Sequence, residues 1–172
     1  MCLAGHPTLE CVALTSAGNK AFVESLGCYG RTVPYAELSE LANDRPTLYV
    51  DFSGDPGLRE RVHQHFTGHL VYSCFVGSSH TTDEAELGAV EGLRPVFFFA
   101  PIQIRKRSVE WGAERVNRYV GEGLQRFYRQ VSAPTDPLLQ VVESYGLEAA
   151  QSVISRLFHG HIAPVEGHVI RL

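Results

Sequence analysis

Short apolar runs alternate along this chain with segments whose hydrophobic residues recur every three or four positions, the pattern of strands and helices taken in turn. Residues 9–15 form the first run, bounded by Pro7 and by the polar Ser16 and Asn19, and they suit a buried parallel strand. Across residues 17–26, Ala21, Phe22, Ser25 and Leu26 mark one helical face, and Gly27 supplies the C-cap. Residues 31–35 read as a short extended piece and 41–46 as a loop. Residues 47–52, with Leu48, Tyr49 and Val50 at their centre, are strongly strand-like. Asp55 then suits an N-cap with Pro56 at the first helical position, and this helix is expected to run to Phe66. Residues 69–76 form another strand, ending on Gly77.

Residues 77–95 show no sustained period and read as a loop of nearly twenty residues; loops of that length are usually functional or disordered. Residues 96–100 are a further apolar strand, followed by residues 102–107 and a long helix. In that helix Val116, Val120, Leu124, Phe127 and Val131 fall at i, i+4, i+8, i+11 and i+15, one stripe to bury against a sheet. Residues 133–137 are a turn. Helical pieces are expected at 138–145 and 147–158, the second stopped by Gly160, and residues 167–172 close the chain as a strand.

Strands that alternate with helices at this spacing predict an α/β fold, a parallel sheet covered on both faces in a Rossmann-type three-layer αβα arrangement, within one domain of residues 1–172. In a dinucleotide-binding fold the first strand runs into a Gly-rich turn, and a helix returns to a second strand whose tip sorts the adenosine ribose. Here a second-strand tip occurs within fifteen residues of Met1, and no Gly-x-Gly-x-x-Gly is present. The expectation is the later part of a larger enzyme, with the first strand and the Gly-rich turn missing. Strands 9–15 and 47–52 then either pair directly or need a partner, because buried unpaired backbone groups cost about 1–3 kcal/mol each.

Composition narrows this only a little. The 172 residues are 44% hydrophobic and 20% charged with a net charge of −4, an ordinary globular balance that gives no pointer to nucleic acid. Apolar runs fall far short of the roughly twenty residues of a membrane helix, and a basic n-region is absent from residues 1–14, so the expectation is a cytoplasmic protein without a signal peptide. Cys2, Cys11, Cys28 and Cys74 form no C-x-x-C and are expected to be reduced structural thiols.

The order of elements is similar to the cofactor domain of the medium-chain dehydrogenase/reductase superfamily, the stretch 12–35 resembles its zinc-independent quinone-oxidoreductase branch, and the ordered blocks 14–29, 96–107, Trp111-Gly112 and 166–172 look more closely like an uncharacterised family within that superfamily. The resemblance covers about residues 10–172. It implies NADP-dependent hydride transfer to a carbonyl or quinone-like substrate, and the absent first strand and N-terminal substrate domain are departures from its pattern. An enzyme using the unphosphorylated cofactor places Asp or Glu at the second-strand tip. Here the tip is Thr15-Ser16, with Asn19 and Lys20 following and no carboxylate, so the resemblance implies a 2′-phosphate pocket and NADP. Tyr35 matches a tyrosine that lines this pocket in such proteins. The blocks Asp51-Phe52-Ser53-Gly54 and Val76-Gly77-Ser78-Ser79-His80 fall at strand carboxyl ends, where Ser53, Gly54, Gly77 and Ser78 would approach ribose and nicotinamide.

Bland readings stand beside these. Ser16 also suits a helix cap and Lys20 a solvated lysine, Gly and Ser are common in any strand-to-helix turn, and His80, whose residue type suits a proton donor near pH 7, equally suits an exposed loop histidine. Phe97, Phe98 and Phe99 are expected to fill the core, and Arg105-Lys106-Arg107 suits a solvated basic turn. No residue is named as catalytic. His63 and His65 are two apart on a helix and point in opposite directions, and no zinc-ligand spacing or Gly-x-Ser-x-Gly elbow exists. The competing function is a non-catalytic α/β module that binds a protein partner, oligomerises, or docks a missing N-terminal segment.

Overall fold

A computed structural model describes residues 8–76, 92–132 and 137–172. The chain is mixed α/β, with small parallel sheets and helices, and divides into two compact units: Met1–Val33 with Asn117–Leu172, and Pro34–Val116. Among the described residues no helix is long and apolar enough to cross a membrane.

In the first unit, β1 (Val12–Thr15) pairs with β2 (Arg31–Pro34) in a two-stranded sheet, with α1 (Lys20–Ser25) between them in sequence. The predicted helix over 17–26 is divided: Ala17–Asn19 is a 3₁₀ turn, and only Lys20–Ser25 is α-helical. Gly27 follows at φ +62°, the left-handed conformation that a helix stop requires and that glycine adopts without steric cost. The Gln130 side chain donates to the Leu26 carbonyl at 2.6 Å and holds this helix end.

The same unit contains β6 (Gln140–Tyr145), α5 (Gly146–Phe158) and β7 (Glu166–Arg171), a βαβ crossover whose strands pair in parallel from Gln140–Glu166 to Tyr145–Arg171. The helix expected at 138–145 is therefore a strand. Val142 and Ser144 are half-buried while Val141, Glu143 and Tyr145 are exposed, an alternation of period two. Eight residues are too few for that pattern to be told from a helix without the partner strand, which lies over twenty residues later in sequence. Gly146 at φ +84° marks the switch from strand to helix.

In the second unit a three-stranded sheet has the order β3 (Thr47–Asp51), β4 (Leu70–Phe75), β5 (Val96–Phe97), parallel throughout. The expected strand over 96–100 stops early because Pro101 opens α3 (Ala100–Trp111). Gly112, at φ +86°, separates α3 from α4 (Ala113–Val131), which is the expected long helix and belongs from Asn117 onward to the first unit. Along α4, Val116 and Val131 are buried while Val120, Leu124 and Phe127 are half-exposed, so the predicted stripe is buried only at its ends. Residues 77–91 of the expected loop, and 133–136 of the expected turn, lie outside the described residues.

The core of this second unit forms where α2 (Pro56–His65) lies on the sheet. Leu58, Arg59, Val62 and His63 are its buried residues, a stripe at i, i+1, i+4 and i+5. Asp55 caps it as expected, its Oδ1 accepting from the Leu58 amide at 3.1 Å with Pro56 in the first turn. Asp55→Ala removes that acceptor and should lower stability by about 1 kcal/mol, with Asp55→Ser recovering most of it; urea unfolding of the two variants measures both.

Candidate functional site

The carboxyl end of β3 holds a densely bonded polar group. Asp51 is 1% exposed, and its two oxygens accept from five donors. Oδ1 takes the Ser53 amide at 2.9 Å, the Ser53 hydroxyl at 2.8 Å and the Gly54 amide at 3.1 Å. Oδ2 takes Nε and Nη2 of Arg59, both at 2.9 Å. One carboxylate thereby fixes the turn after β3 and docks α2 onto the sheet. The Arg59 guanidinium also lies over the Phe75 ring at 5.4 Å, which ties it to β4.

These bonds decide what the turn can offer a ligand. The Ser53 and Gly54 N–H groups and the Ser53 proton point into Asp51, and Ser53 Oγ accepts from the Asp55 amide at 3.2 Å. The Tyr49 hydroxyl also faces the Ser53 side chain, so what remains is the acceptor capacity of the turn's carbonyl oxygens. Gly54 sits at φ +66°, so the turn also needs glycine there. The neighbouring Phe52 ring is 75% exposed.

Tyr35 opens a 3₁₀ segment, Tyr35–Glu40, and its carbonyl accepts from Arg61 at 3.4 Å. Burial, then Asp51 and Asp55, raise its hydroxyl above the ordinary tyrosine value, so it stays a neutral donor beside the Asp51 turn. Tyr49, on β3, is raised further, by burial first and Asp51 second. Its ring meets His63 edge-on at 6.4 Å. His63 and His65 do diverge: His63 Nε2 lies 2.9 Å from Ser73 Oγ within the core, and His65 Nε2 lies 2.8 Å from the Leu41 carbonyl oxygen.

In the first unit, the tip of β1 carries Thr15, Ser16, Asn19 and Lys20. Thr15 is buried and its side chain belongs to the packing. Ser16 occupies the cap position of the 3₁₀ turn in extended conformation, yet its side chain makes no capping bond. The Asn19 side chain likewise caps nothing at the start of α1. Lys20 is half-exposed and pairs loosely with Glu24 at 3.9 Å. A hydroxyl, an amide and an ammonium thus stand at a strand tip without a carboxylate of its own.

Gly77, Ser78 and His80 lie outside the described residues. Phe97 and Phe99 are about half-exposed and stack at 6.2 Å, so they do not fill the core as expected. Only two residues of that segment pair in the sheet, which leaves their rings at its margin. Arg107 pairs with Glu110 and lies over Trp111 at 4.9 Å. Among the described residues, no three His, Cys, Asp or Glu side chains converge as a metal site would require.

A model of a family described as a protein of unknown function, DUF2855, matches residues 1–163. The chain belongs to the DUF2855 family. No curated protein and no solved structure matches it. The DUF2855 match contains every candidate residue named above, including the pair that sequence reasoning missed, Arg59 with its partner Asp51. Arginine on a helix is usually solvated, so Arg59 does not stand out in the sequence. The available signal was its place in the stripe Leu58, Arg59, Val62, His63, a charge on an apolar face eight residues after a strand-end Asp.

Removing one member of a buried ion pair strands the other. Asp51→Asn turns an acceptor into an NH₂ donor facing donors already in place, and should cost about 3–5 kcal/mol in urea unfolding. Because the partners share one network, Asp51→Asn with Arg59→Met should cost clearly less than the sum of the single variants.

Proposed function

We propose that this chain supplies cofactor-binding surface to an NADP-dependent, zinc-independent oxidoreductase that transfers hydride to a carbonyl or quinone-like substrate. The observation that carries this reading is the Asp51 turn: a strand–turn–helix–strand unit with its turn at the carboxyl ends of parallel strands, where open α/β sheets of the Rossmann type bind ligands. With its N–H groups turned inward, the turn offers acceptors, which suit the hydroxyls of a ribose and repel a phosphate. The carbonyls of the turn that Ser53 braces would receive such a hydroxyl, Gly54 would let the sugar approach the backbone, and the neutral Tyr35 hydroxyl is a donor nearby.

The tip of β1 has the opposite character. Ser16 and Asn19 carry side chains not engaged in capping, Lys20 adds a positive charge, and no acidic residue stands between Thr15 and Lys20 to receive a 2′-hydroxyl. Those donors suit a 2′-phosphate and support NADP over NAD. When bound, the cofactor supplies the hydride. The protein's part is to orient the cofactor and shape the surrounding field, and no side chain is assigned a catalytic role. Gly77 and Ser78 belong to the same reading by resemblance alone.

A second reading, a non-catalytic interaction module, is favoured by one observation. Leu48, Val50 and Phe52 lie on the sheet face opposite α2 and are 58%, 46% and 75% exposed, whereas parallel sheets usually have both faces covered.

A thermal-shift titration of the full chain separates the two. NADPH should raise the melting temperature, by the equivalent of about 2.7 kcal/mol at a hundredfold excess over Kd. NADH should raise it less, and Lys20→Ala should remove the difference between the two cofactors. A cooperative melt unmoved by either cofactor would favour the interaction module.

A further inference from the structure

His63 is a buried titratable group that the proposed cofactor chemistry does not use. It is 4% exposed, on the buried face of α2, and its Nε2 lies 2.9 Å from the hydroxyl of Ser73, which is 1% exposed in the middle of β4. Tyr49 from β3 packs its ring edge-on against the imidazole. Arg59, one helical turn earlier on the same face, holds Asp51. Two side chains of one helix stripe therefore fasten α2 to the sheet, Arg59 to β3 and His63 to β4.

The two fastenings respond differently to protons. Arg59 brings a positive charge that Asp51 neutralises at 2.9 Å. A proton on His63 would bring a second positive charge into the same stripe, at the i, i+4 spacing where like charges repel. The groups facing His63 from the elements packed on it are Arg59 on α2, Tyr49 and Asp51 on β3, and Ser73 on β4. Asp51 is the sole carboxylate among them, and its oxygens already accept five donors. The last turn of α2 favours a cation through the helix dipole, but burial and then Arg59 outweigh that and Asp51, and hold the imidazole below the ordinary histidine value.

We propose that the His63–Ser73 pair is a proton-operated latch: with His63 neutral it keeps α2 seated on the sheet, and on protonation it frees the helix and, through Arg59 and Asp51, the Ser53–Gly54 turn. The sign follows from linkage. A ring that binds protons less readily when folded contributes stability that is fully present above about pH 6.5, its unfolded value, and is lost as pH falls below it. The latch concerns the order of the turn and stands whether or not a cofactor binds there.

Hydrogen exchange of the Ser53 and Gly54 amides, corrected for intrinsic rates, reads the latch directly, since both amides donate to Asp51. In the full chain their protection should fall between pH 7.5 and 5. As a fold-change, that fall should tend toward the ratio of the proton dissociation constants of His63 in the folded and open states. His63→Gln keeps a neutral amide that can reach Ser73 and should lose much less protection over the same range. NMR titration of the His63 ring in the unmutated protein supplies the ratio independently and stands even if the variant fails to fold. A ring midpoint at or above about 6.5 overturns the proposal, as does an equal loss of protection in wild type and His63→Gln.

Discussion

One buried carboxylate carries the architecture of the second unit. Asp51 stands at the carboxyl end of β3 and is asked to do two things that a single apolar residue could not do together. It closes a tight turn by accepting from that turn's amides, and it receives a guanidinium from the helix that follows. Desolvating an Asp–Arg pair is expensive, and the cost is offset only where each lone pair finds a donor. Here the five donors meet that condition. The pair therefore acts less as a source of net stability than as a specification: α2 can seat in one register, the one that delivers Arg59 to Asp51 and His63 to Ser73.

That register also explains why the turn faces its surroundings as an acceptor surface. Phosphate-binding strand-to-helix turns of open α/β proteins hold anions through free amides at a helix N-terminus. In this chain the amides of Ser53 and Gly54 are used internally, and Asp55 occupies the Leu58 amide at the start of α2. The Ser53 and Gly54 amides are therefore closed to a phosphate, while a sugar hydroxyl would find an acceptor at the turn's carbonyls. The tip of β1 shows the reverse, with donors left unused by capping. The two polarities come from local bonding within each unit, not from net charge.

Much of this was legible in the amino-acid order because it is local. Asp55-Pro56 announces a capped helix, Gly27 a helix stop, and the Leu48-Tyr49-Val50 run a strand, each through interactions within four residues. What was illegible depended on partners distant in sequence. The segment ending at Tyr145 is a strand because β7 lies beside it, and its own eight residues suit either period. Phe97 and Phe99 look like core by hydrophobicity, yet a proline two positions beyond Phe99 ends the strand and leaves the rings at the sheet margin. The Asp51–Arg59 pair combines both difficulties, a charge in an apolar stripe whose reason is visible only once the helix lies on the sheet.

The edge position of β3 adds a last constraint. In the order β3-β4-β5 it has one hydrogen-bonded neighbour among the described residues, and its outward-facing Leu48 and Val50 are exposed on the face that α2 does not cover. An edge strand held by one neighbour would be expected to fray, and the carboxyl end of β3 is where the candidate site lies. Asp51 counters this from within, because its carbonyl also accepts from the Val76 amide at 2.9 Å. Backbone to β4 and side chain to α2 and the turn thus converge on one residue, so the strand end is fixed by tertiary bonds where sheet pairing alone would leave it loose. A site built this way keeps its geometry only while α2 stays seated, which makes the helix face, more than the turn sequence, the determinant of whether a ligand meets a formed surface.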